Sequence, residues 1–204
     1  MKKSDITKQK ILKAAEKAFA QKGLYGARVD EISEASETNK RMIYAYFGNK
    51  EGLYLAVLES VYSKMADSES KLLEKEVDCK ESIQKVIYHY FSFLYENPEF
   101  VKIVMWENLN EASFFEHSDA AKIKGSALEL LEKKLKQGQE QGIFRENLDI
   151  KETAMTINML CFSHFSNIHT MAQIMNVNYS DKKEITKRRD YVVEMVMNHI
   201  LAEG

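Results

Sequence analysis

The sequence predicts an all-α protein. Its 204 residues include one proline and eight glycines, too few for the many tight turns of a sheet protein. Apolar residues instead recur three and four positions apart along most of the chain, which is the spacing of amphipathic helices. No segment has a convincing strand pattern. Hydrophobic residues make up 45% and charged residues 29% of the chain, as in ordinary globular proteins.

The net charge of −2 is unevenly distributed. Residues 1–50 carry 11 lysines and arginines against six acidic residues, a net charge of +5. Residues 51–204 carry 18 against 25, a net charge of −7. A basic first quarter on an acidic remainder indicates a polyanionic partner for the first quarter. Chance scatter of charge is the alternative explanation.

Cysteine use and hydropathy indicate where the protein works. Cys79 and Cys161 are far apart, in neither metal-like nor redox-like spacing, which favours reduced thiols. No apolar run approaches the roughly 20 residues of a membrane span. Residues 1–10 have no apolar segment behind their lysines, unlike a secretory signal. These features predict a cytoplasmic protein.

The N-terminal pattern predicts three helices followed by a long fourth helix. Thr7 is the expected N-cap of the first helix, and Gly23 is its expected stop. Asn49 is the expected cap of the fourth helix. The predicted ranges are residues 7–22, 29–35, 39–47 and a helix that begins at residue 50.

The remaining sequence predicts helices throughout. Pro98 suits the first position of a helix behind a capping Asn97, and Asp149 is expected to cap a later helix. The predicted ranges are residues 81–95, 98–110, 120–141, a helix over 150–165, and a last helix that includes 192–200.

The second and third predicted helices have helix-turn-helix spacing, because about three residues separate them. In that motif the second helix lies in the DNA major groove. Ile43 and Phe47, four positions apart, can face the core, whereas Arg41 and Tyr44 point to the other side. Arg41 can donate two hydrogen bonds to a guanine edge. An amphipathic helical hairpin with a solvated basic face is the alternative.

These residues resemble the N-terminal DNA-binding domain of TetR/AcrR-type transcriptional repressors. The resemblance covers residues 7–54, TKQKILKAAEKAFAQKGLYGARVDEISEASETNKRMIYAYFGNKEGLY. Its specificity lies in the ordered set of apolar, aromatic and glycine positions rather than in any single one. The DNA-binding residues predicted from the pattern and the resemblance are Thr7, Arg28, Val29, Asn39, Lys40, Arg41, Met42, Tyr44, Tyr46 and Lys50.

Two positions depart from the family pattern. The turn between the two short helices commonly holds a glycine, where this chain has Glu37. If that position is left-handed, a non-glycine residue costs about 1–2 kcal/mol, unless residues 36–38 form a local cap. Glu37 also puts a negative charge near DNA. A second small position, often glycine, is Arg41, so the operator sequence cannot be borrowed from the family.

The resemblance implies a helical second domain that dimerises through its last two long helices and holds an effector. We expect residues 1–50 to form the DNA-binding domain and residues 51–204 to form the effector-binding and dimerisation domain. The dimer residues expected from the apolar faces are Ile157, Cys161, Val192, Met195, Val196 and His199. The residues expected to bind the ligand are Tyr90, Met105, Trp106, Phe162 and Phe165. Packing within one monomer's core is the alternative for both sets.

The sequence therefore predicts a sequence-specific DNA-binding transcriptional regulator. It would act as a repressor, released from a palindromic double-stranded operator by a small apolar or aromatic effector, and it would work as a homodimer. The alternative is a helical small-molecule-binding or scaffold protein that no longer reads DNA. No nucleophile motif or phosphate-binding glycine loop is visible, so we expect neither enzymatic activity nor a cofactor or resident metal.

Overall fold

The computed structural model of the protein describes residues 3–74 and 78–202. These residues form ten helices, and their only β-pairing is an isolated bridge between Phe144 and Leu201. The prediction of an all-α protein is confirmed. The helices are α1 (Lys3–Gly26), α2 (Val29–Ala35), α3 (Lys40–Phe47), α4 (Lys50–Leu73), α5 (Cys79–Glu96), α6 (Pro98–Leu109), α7 (Ala120–Glu140), α8 (Ile150–Ser166), α9 (Ile168–Met175) and α10 (Lys182–Ile200).

Side-chain caps fix the start of several helices. The Asn39 side chain accepts a hydrogen bond from the Met42 amide at 2.9 Å, and that of Asn49 accepts one from the Gly52 amide at 2.7 Å. Asp149 caps α8 in the same way. Each cap satisfies an amide that the first helical turn leaves without a backbone partner. The predicted caps at Asn49 and Asp149 are confirmed, and Asn39 caps α3.

One local prediction was wrong, and two features of the helix ends were not predicted. Thr7 does not cap α1, because the helix begins at Lys3 and Thr7 lies within it. The Asn97 side chain donates to the Phe93 carbonyl at 2.7 Å, so it closes the end of α5 as well as preceding Pro98. Helix α9, which follows α8 after Asn167 alone, was not predicted as a separate helix.

Gly23 bends the end of α1. Its φ of 65° and ψ of 177° interrupt the helical conformation, and the helix resumes as far as Gly26. A Cβ atom at Gly23 would lie 2.0 Å from Nε1 of Trp106. Glycine is therefore needed here for two reasons, a positive φ and the close approach of the indole ring.

Packing divides the chain into two compact units. One, called the head unit here, comprises Met1–Lys64 and Glu99–Lys124. Within it α1 packs against α2, and α2 packs against α3. The ring of Tyr54 lies 5.1 Å from that of Phe19 and 5.4 Å from those of Trp106 and Phe114. Such edge-to-face aromatic pairs give the three-helix motif a rigid base.

A buried carboxylate connects the elements of the head unit. Glu107 is only 2% exposed, and it accepts hydrogen bonds from the Tyr54 hydroxyl at 2.7 Å and the Phe115 amide at 2.9 Å. Burial and Glu107 raise the pKa of Tyr54 well above its usual range, so the hydroxyl remains the donor. This contact ties α4 to α6 and to the segment after α6.

The second unit, called the body unit here, comprises Met65–Pro98 and Gly125–Gly204. Its centre is formed by α5, α8 and α10, which pack on one another. The buried Glu69 accepts a hydrogen bond from the Tyr90 hydroxyl. These units are defined by packing, and the division by function at residue 50 stays a prediction.

The end of α10 is held by the segment after α7. Arg145 donates hydrogen bonds to the carbonyls of Leu201 at 3.0 Å and Asn198 at 3.1 Å. These carbonyls belong to the last turn, where a helix leaves its acceptors unpaired and attracts cations.

Within residues 3–74 and 78–202, no helix is both long and apolar enough to cross a membrane.

Candidate nucleic-acid interface

The turn between α2 and α3 is left-handed at Glu37, whose φ is 53°. Local hydrogen bonds hold it: the Ser36 hydroxyl donates to the Ile32 carbonyl at 2.7 Å, and the Ser33 hydroxyl donates to the Thr38 carbonyl at 2.6 Å. Both parts of the sequence prediction, a left-handed residue and a local cap, describe this turn. The serine contacts fix the angle between the two helices although the turn has no glycine.

Helix α3 has one buried face and one exposed face. Ile43 is completely buried in the head unit, while Arg41 and Tyr44 are exposed. Met42 and Tyr46 are half-buried. The exposed face therefore presents a cation and a phenol at helical spacing, which suits contacts with base edges and phosphates.

Acidic neighbours engage two lysines next to this face. Lys40 lies 2.5 Å from Asp30 and Lys10 lies 3.1 Å from Glu37, and both pairs are on the surface. The hydrogen bond that Lys40 donates to the Asp30 carboxylate raises the pKa of Lys40. Arg41, by contrast, makes no ion pair or hydrogen bond with any residue that the structure describes.

Lys8 is a further cation beside α3. Its ammonium lies 5.4 Å from the centre of the Tyr46 ring, within the range of a cation–π contact. The sequence analysis did not select Lys8 or Lys10, because both precede the helical stripe from which the interface was read. The cluster of lysines in the basic N-terminal quarter was the available signal.

Three predicted DNA-binding residues are buried or half-buried. Lys50 donates hydrogen bonds to the carbonyls of Ala27 at 3.1 Å and Tyr25 at 3.4 Å, so it fastens the segment between α1 and α2. The Val29 side chain is buried, which leaves only its backbone for DNA. Thr7 is half-buried within α1. Arg28 is exposed at the start of α2, where it is available to a phosphate.

The predicted ligand residues fall into both units. Met105 and Trp106 belong to the head unit, where Trp106 packs 5.4 Å from Tyr54. Phe162 belongs to the body unit and is half-buried. Two further body residues, Tyr90 and Phe165, are buried. The structure therefore does not gather the five residues in either unit.

Most of the predicted dimer residues face the core of their own chain. Ile157, Cys161 and Val192 are completely buried, and Val196 is 5% exposed. The monomer-core alternative therefore holds for these four, because a side chain without accessible surface has little to offer a partner. Only two of the predicted residues remain on the surface, Met195 and His199.

The outer face of α8 carries apolar residues that the sequence analysis missed. Met155 and Met159 are 46% and 63% exposed. On α10, Tyr191 and Met195 are 54% and 42% exposed. Each pair is four positions apart, so the signal was a second apolar stripe one helix face away from the buried one.

Two family models cover most of the chain. The model for bacterial regulatory proteins of the tetR family matches residues 11–57, and the tetracyclin repressor-like C-terminal domain model matches residues 80–196. The chain belongs to the TetR family. The two matches include the helix-turn-helix and the helices of the body unit, and the prediction of a DNA-binding transcriptional regulator is confirmed.

Individual proteins resemble the chain in sequence or in fold. The HTH-type transcriptional repressor NicS of Pseudomonas putida is 34% identical over 88% of this chain and 85% of its own length. The fatty acid degradation regulator FadR of Bacillus halodurans has the same fold, with a TM-score of 0.75 at 20% identity over 93% of this chain and 94% of its own. The structure of the transcriptional regulator FadR of Bacillus subtilis in complex with stearoyl-CoA has a TM-score of 0.72 at 19% identity, over 93% of this chain and 97% of its own.

Proposed function

We propose that this TetR-family regulator is a homodimeric repressor of the cytoplasm that leaves a palindromic operator when a small apolar or aromatic effector binds. The observation that carries the proposal is the exposed Arg41 on α3, a cation without a partner among the described residues. The related NicS is itself named a transcriptional repressor, which supports repression rather than activation.

We assign the base contact to Arg41 and the neighbouring phosphate contacts to Lys40 and Tyr44. A guanidinium donates two hydrogen bonds to guanine O6 and N7, the commonest specific contact in the major groove. A lysine and a tyrosine hydroxyl suit phosphate oxygens. The surface pair between Lys40 and Asp30 does not prevent this, because exposed ion pairs contribute little and exchange readily.

The DNA-binding proposal is tested by selection from random duplexes, followed by titration of the selected site. Arg41→Ala is expected to weaken binding by about 1–3 kcal/mol and to relax the preference at one base pair. Lys133→Ala, which removes an exposed cation from α7, is the matched control and should leave both unchanged. No selected sequence, together with a salt slope near zero, would instead support a helical binding or scaffold protein, because phosphate contacts release counterions.

We propose that a second copy of the chain covers the outer faces of α8 and α10. A cleft of about 560 Å³ runs between these helices, and Leu160 and Met195 are among the residues that line it. With the exposed Met159 and Tyr191, it forms an apolar surface of the kind that marks interaction sites. A two-fold interface of two helices from each copy would match a palindromic operator.

The dimer proposal is tested by analytical ultracentrifugation. Met159→Glu should convert the dimer to a monomer, because it places a charge in the centre of the apolar surface. Leu109→Glu is the matched control, since Leu109 is 81% exposed but lies in the head unit. If the Met159→Glu variant remains a dimer, the interface does not lie on α8 and α10, and the dimer proposal fails.

The release mechanism is a shift between two spacings of the recognition helices. DNA selects the spacing of roughly 34–36 Å, one helical repeat, and an effector releases DNA only if it binds another spacing better. The complex of Bacillus subtilis FadR with stearoyl-CoA supports an effector with an apolar part. We place its site in the body unit, which holds Tyr90, Phe162 and Phe165.

A further inference from the structure

We propose that a cleft between α8, α9 and α10 binds a small organic monocarboxylate with an apolar part. The cleft has a volume of about 340 Å³, which lies within the usual range for small-molecule sites. The inference rests on the proposed function, because such a ligand would be the effector or a second effector. The lining residues are Ser163, His164, Asn167, Ile168, Met171, Tyr179 and Arg188.

Arg188 gives the cleft its preference for an anion. It is half-buried on α10, and none of the described residues forms an ion pair with it. Its guanidinium lies 5.9 Å from the ring centre of Tyr191. A guanidinium remains charged at all relevant pH values and matches the two oxygens of a carboxylate. A carboxylate is therefore the group that it binds best.

The neighbouring Arg189, unlike Arg188, already has an acidic partner. Arg189 lies 2.8 Å from Asp190, and its guanidinium lies 4.5 Å from the ring centre of Tyr88. The first half of α10 also carries Lys182, Lys183 and Lys187, although residues 51–204 as a whole are acidic. This local excess of positive charge raises the concentration of anions near the cleft.

His164 makes the cleft suited to one negative charge rather than two. Burial and the nearby Arg188 lower its pKa, and a hydrogen bond with the Tyr179 backbone offsets part of this effect. The ring is therefore neutral near pH 7 and adds a hydrogen-bonding group but no second positive charge. Its Nε2 atom is buried without a hydrogen-bond partner among the described residues. Buried polar atoms of this kind are rare.

The cleft also has apolar lining residues. Ile168 and Met171 come from α9, and Met171 is 40% exposed. Tyr179, from the segment between α9 and α10, also lines the cleft. Methionine adapts its shape to different ligands. These side chains suit a benzene ring or a short alkyl chain.

The position of the cleft connects it to regulation. It spans α8 and α10, the helices that carry the proposed dimer surface at Met159 and Tyr191. A ligand that joins His164 to Arg188 favours one spacing of the two helices over others. Binding is then coupled to the arrangement of the dimer through its different affinity for each spacing.

The inference is tested by isothermal titration calorimetry on the full chain with benzoate and hexanoate, each compared with its neutral amide. The carboxylates should bind at least about tenfold more tightly than benzamide and hexanamide, since one charge-assisted contact separates them. Equal binding of acid and amide, or no binding of either carboxylate at about 10 mM, would overturn the inference.

Variants of α10 locate the site. Arg188→Met should weaken benzoate binding about 10- to 100-fold, and Arg188→Lys should weaken it less because it keeps the charge but loses the fork. Lys187→Met removes an exposed charge one residue away and should change affinity less than about twofold. Undiminished binding by Arg188→Met and Arg188→Lys would place benzoate elsewhere.

Operator binding without ligand separates this inference from the proposed function. If the wild type selects no DNA sequence, the repressor proposal fails. Calorimetry still tests whether the cleft binds a carboxylate. If DNA binding is normal and benzoate binds equally to wild type and Arg188→Met, the cleft proposal fails alone.

Discussion

Replacing Glu37 with glycine tests whether the left-handed turn stores strain. Glu37 has a φ of 53°, a conformation that costs a non-glycine residue about 1–2 kcal/mol. Glycine lowers the free energy of unfolding by about 0.5–1 kcal/mol relative to alanine, because it gives the unfolded chain more conformational freedom. The lost ion pair with Lys10 counts for little, because its side chains are 55% and 80% exposed, and such pairs contribute about 0–1 kcal/mol.

The alanine variant isolates the backbone effect. Glu37→Ala removes the same ion pair as Glu37→Gly but keeps a Cβ atom in the left-handed conformation. Glu37→Gly should therefore be about 1 kcal/mol more stable than Glu37→Ala, a difference of roughly 2–4 °C in the unfolding midpoint. The measurement is thermal unfolding followed by circular dichroism. A glycine variant that is less stable than the alanine variant by about 0.5–1 kcal/mol, the entropic loss alone, would show that the hydrogen-bonded turn carries no such strain.

The same two variants report on the charge of Glu37 through DNA binding. Both remove a negative charge beside the proposed interface and release Lys10 from its pair. If Lys10 then meets a phosphate, the slope of log affinity against log salt should steepen by about 0.9 in both. A change in the glycine variant alone would instead trace the DNA effect to the turn geometry.

Two further predictions concern packing in single positions. Gly23→Ala should destabilise the protein by about 2–5 kcal/mol, because the new Cβ atom would clash with Trp106 and alanine disfavours the positive φ of this position. Gly125→Ala is the control: it lies inside α7 with open space around it, so it should stabilise the protein by about 0.5–1 kcal/mol. Tyr54→Phe removes one hydrogen bond from the buried Glu107 and should cost about 1–3 kcal/mol, measured by denaturant unfolding; a loss below about 0.5 kcal/mol would contradict that role.

Predictions from sequence succeeded where the cause is local. Asn49 and Asp149 cap helices because a short polar side chain reaches an amide three residues later. Glu37 was identified through the family resemblance, because the turn of that family commonly holds a glycine at this place. The contacts of Lys50 with the carbonyls of Tyr25 and Ala27 were not predicted, because these partners lie more than 20 residues earlier and no spacing rule reports such a contact.

The dimer residues show a different limit. Helix α8 has two apolar faces: Ile157 and Cys161 are completely buried, whereas Met155 and Met159 are exposed. Both faces have helical periodicity, and periodicity alone does not say which one meets the same chain. Burial in three dimensions makes that distinction. The sequence therefore indicates the helices of an interface before it indicates the residues.

The cations of the head unit differ in what DNA binding would cost them. Lys40 would exchange an exposed partner, Asp30, for a phosphate, and such an exchange has almost no free-energy cost in water. Lys50 would give up two backbone hydrogen bonds, which its carbonyl partners would then have to replace. Arg41 has nothing to give up among the described residues. Arg41 also stands at the start of the recognition helix, where the motif meets base edges. Sequence preference should therefore depend on Arg41 more than on any lysine of the head unit.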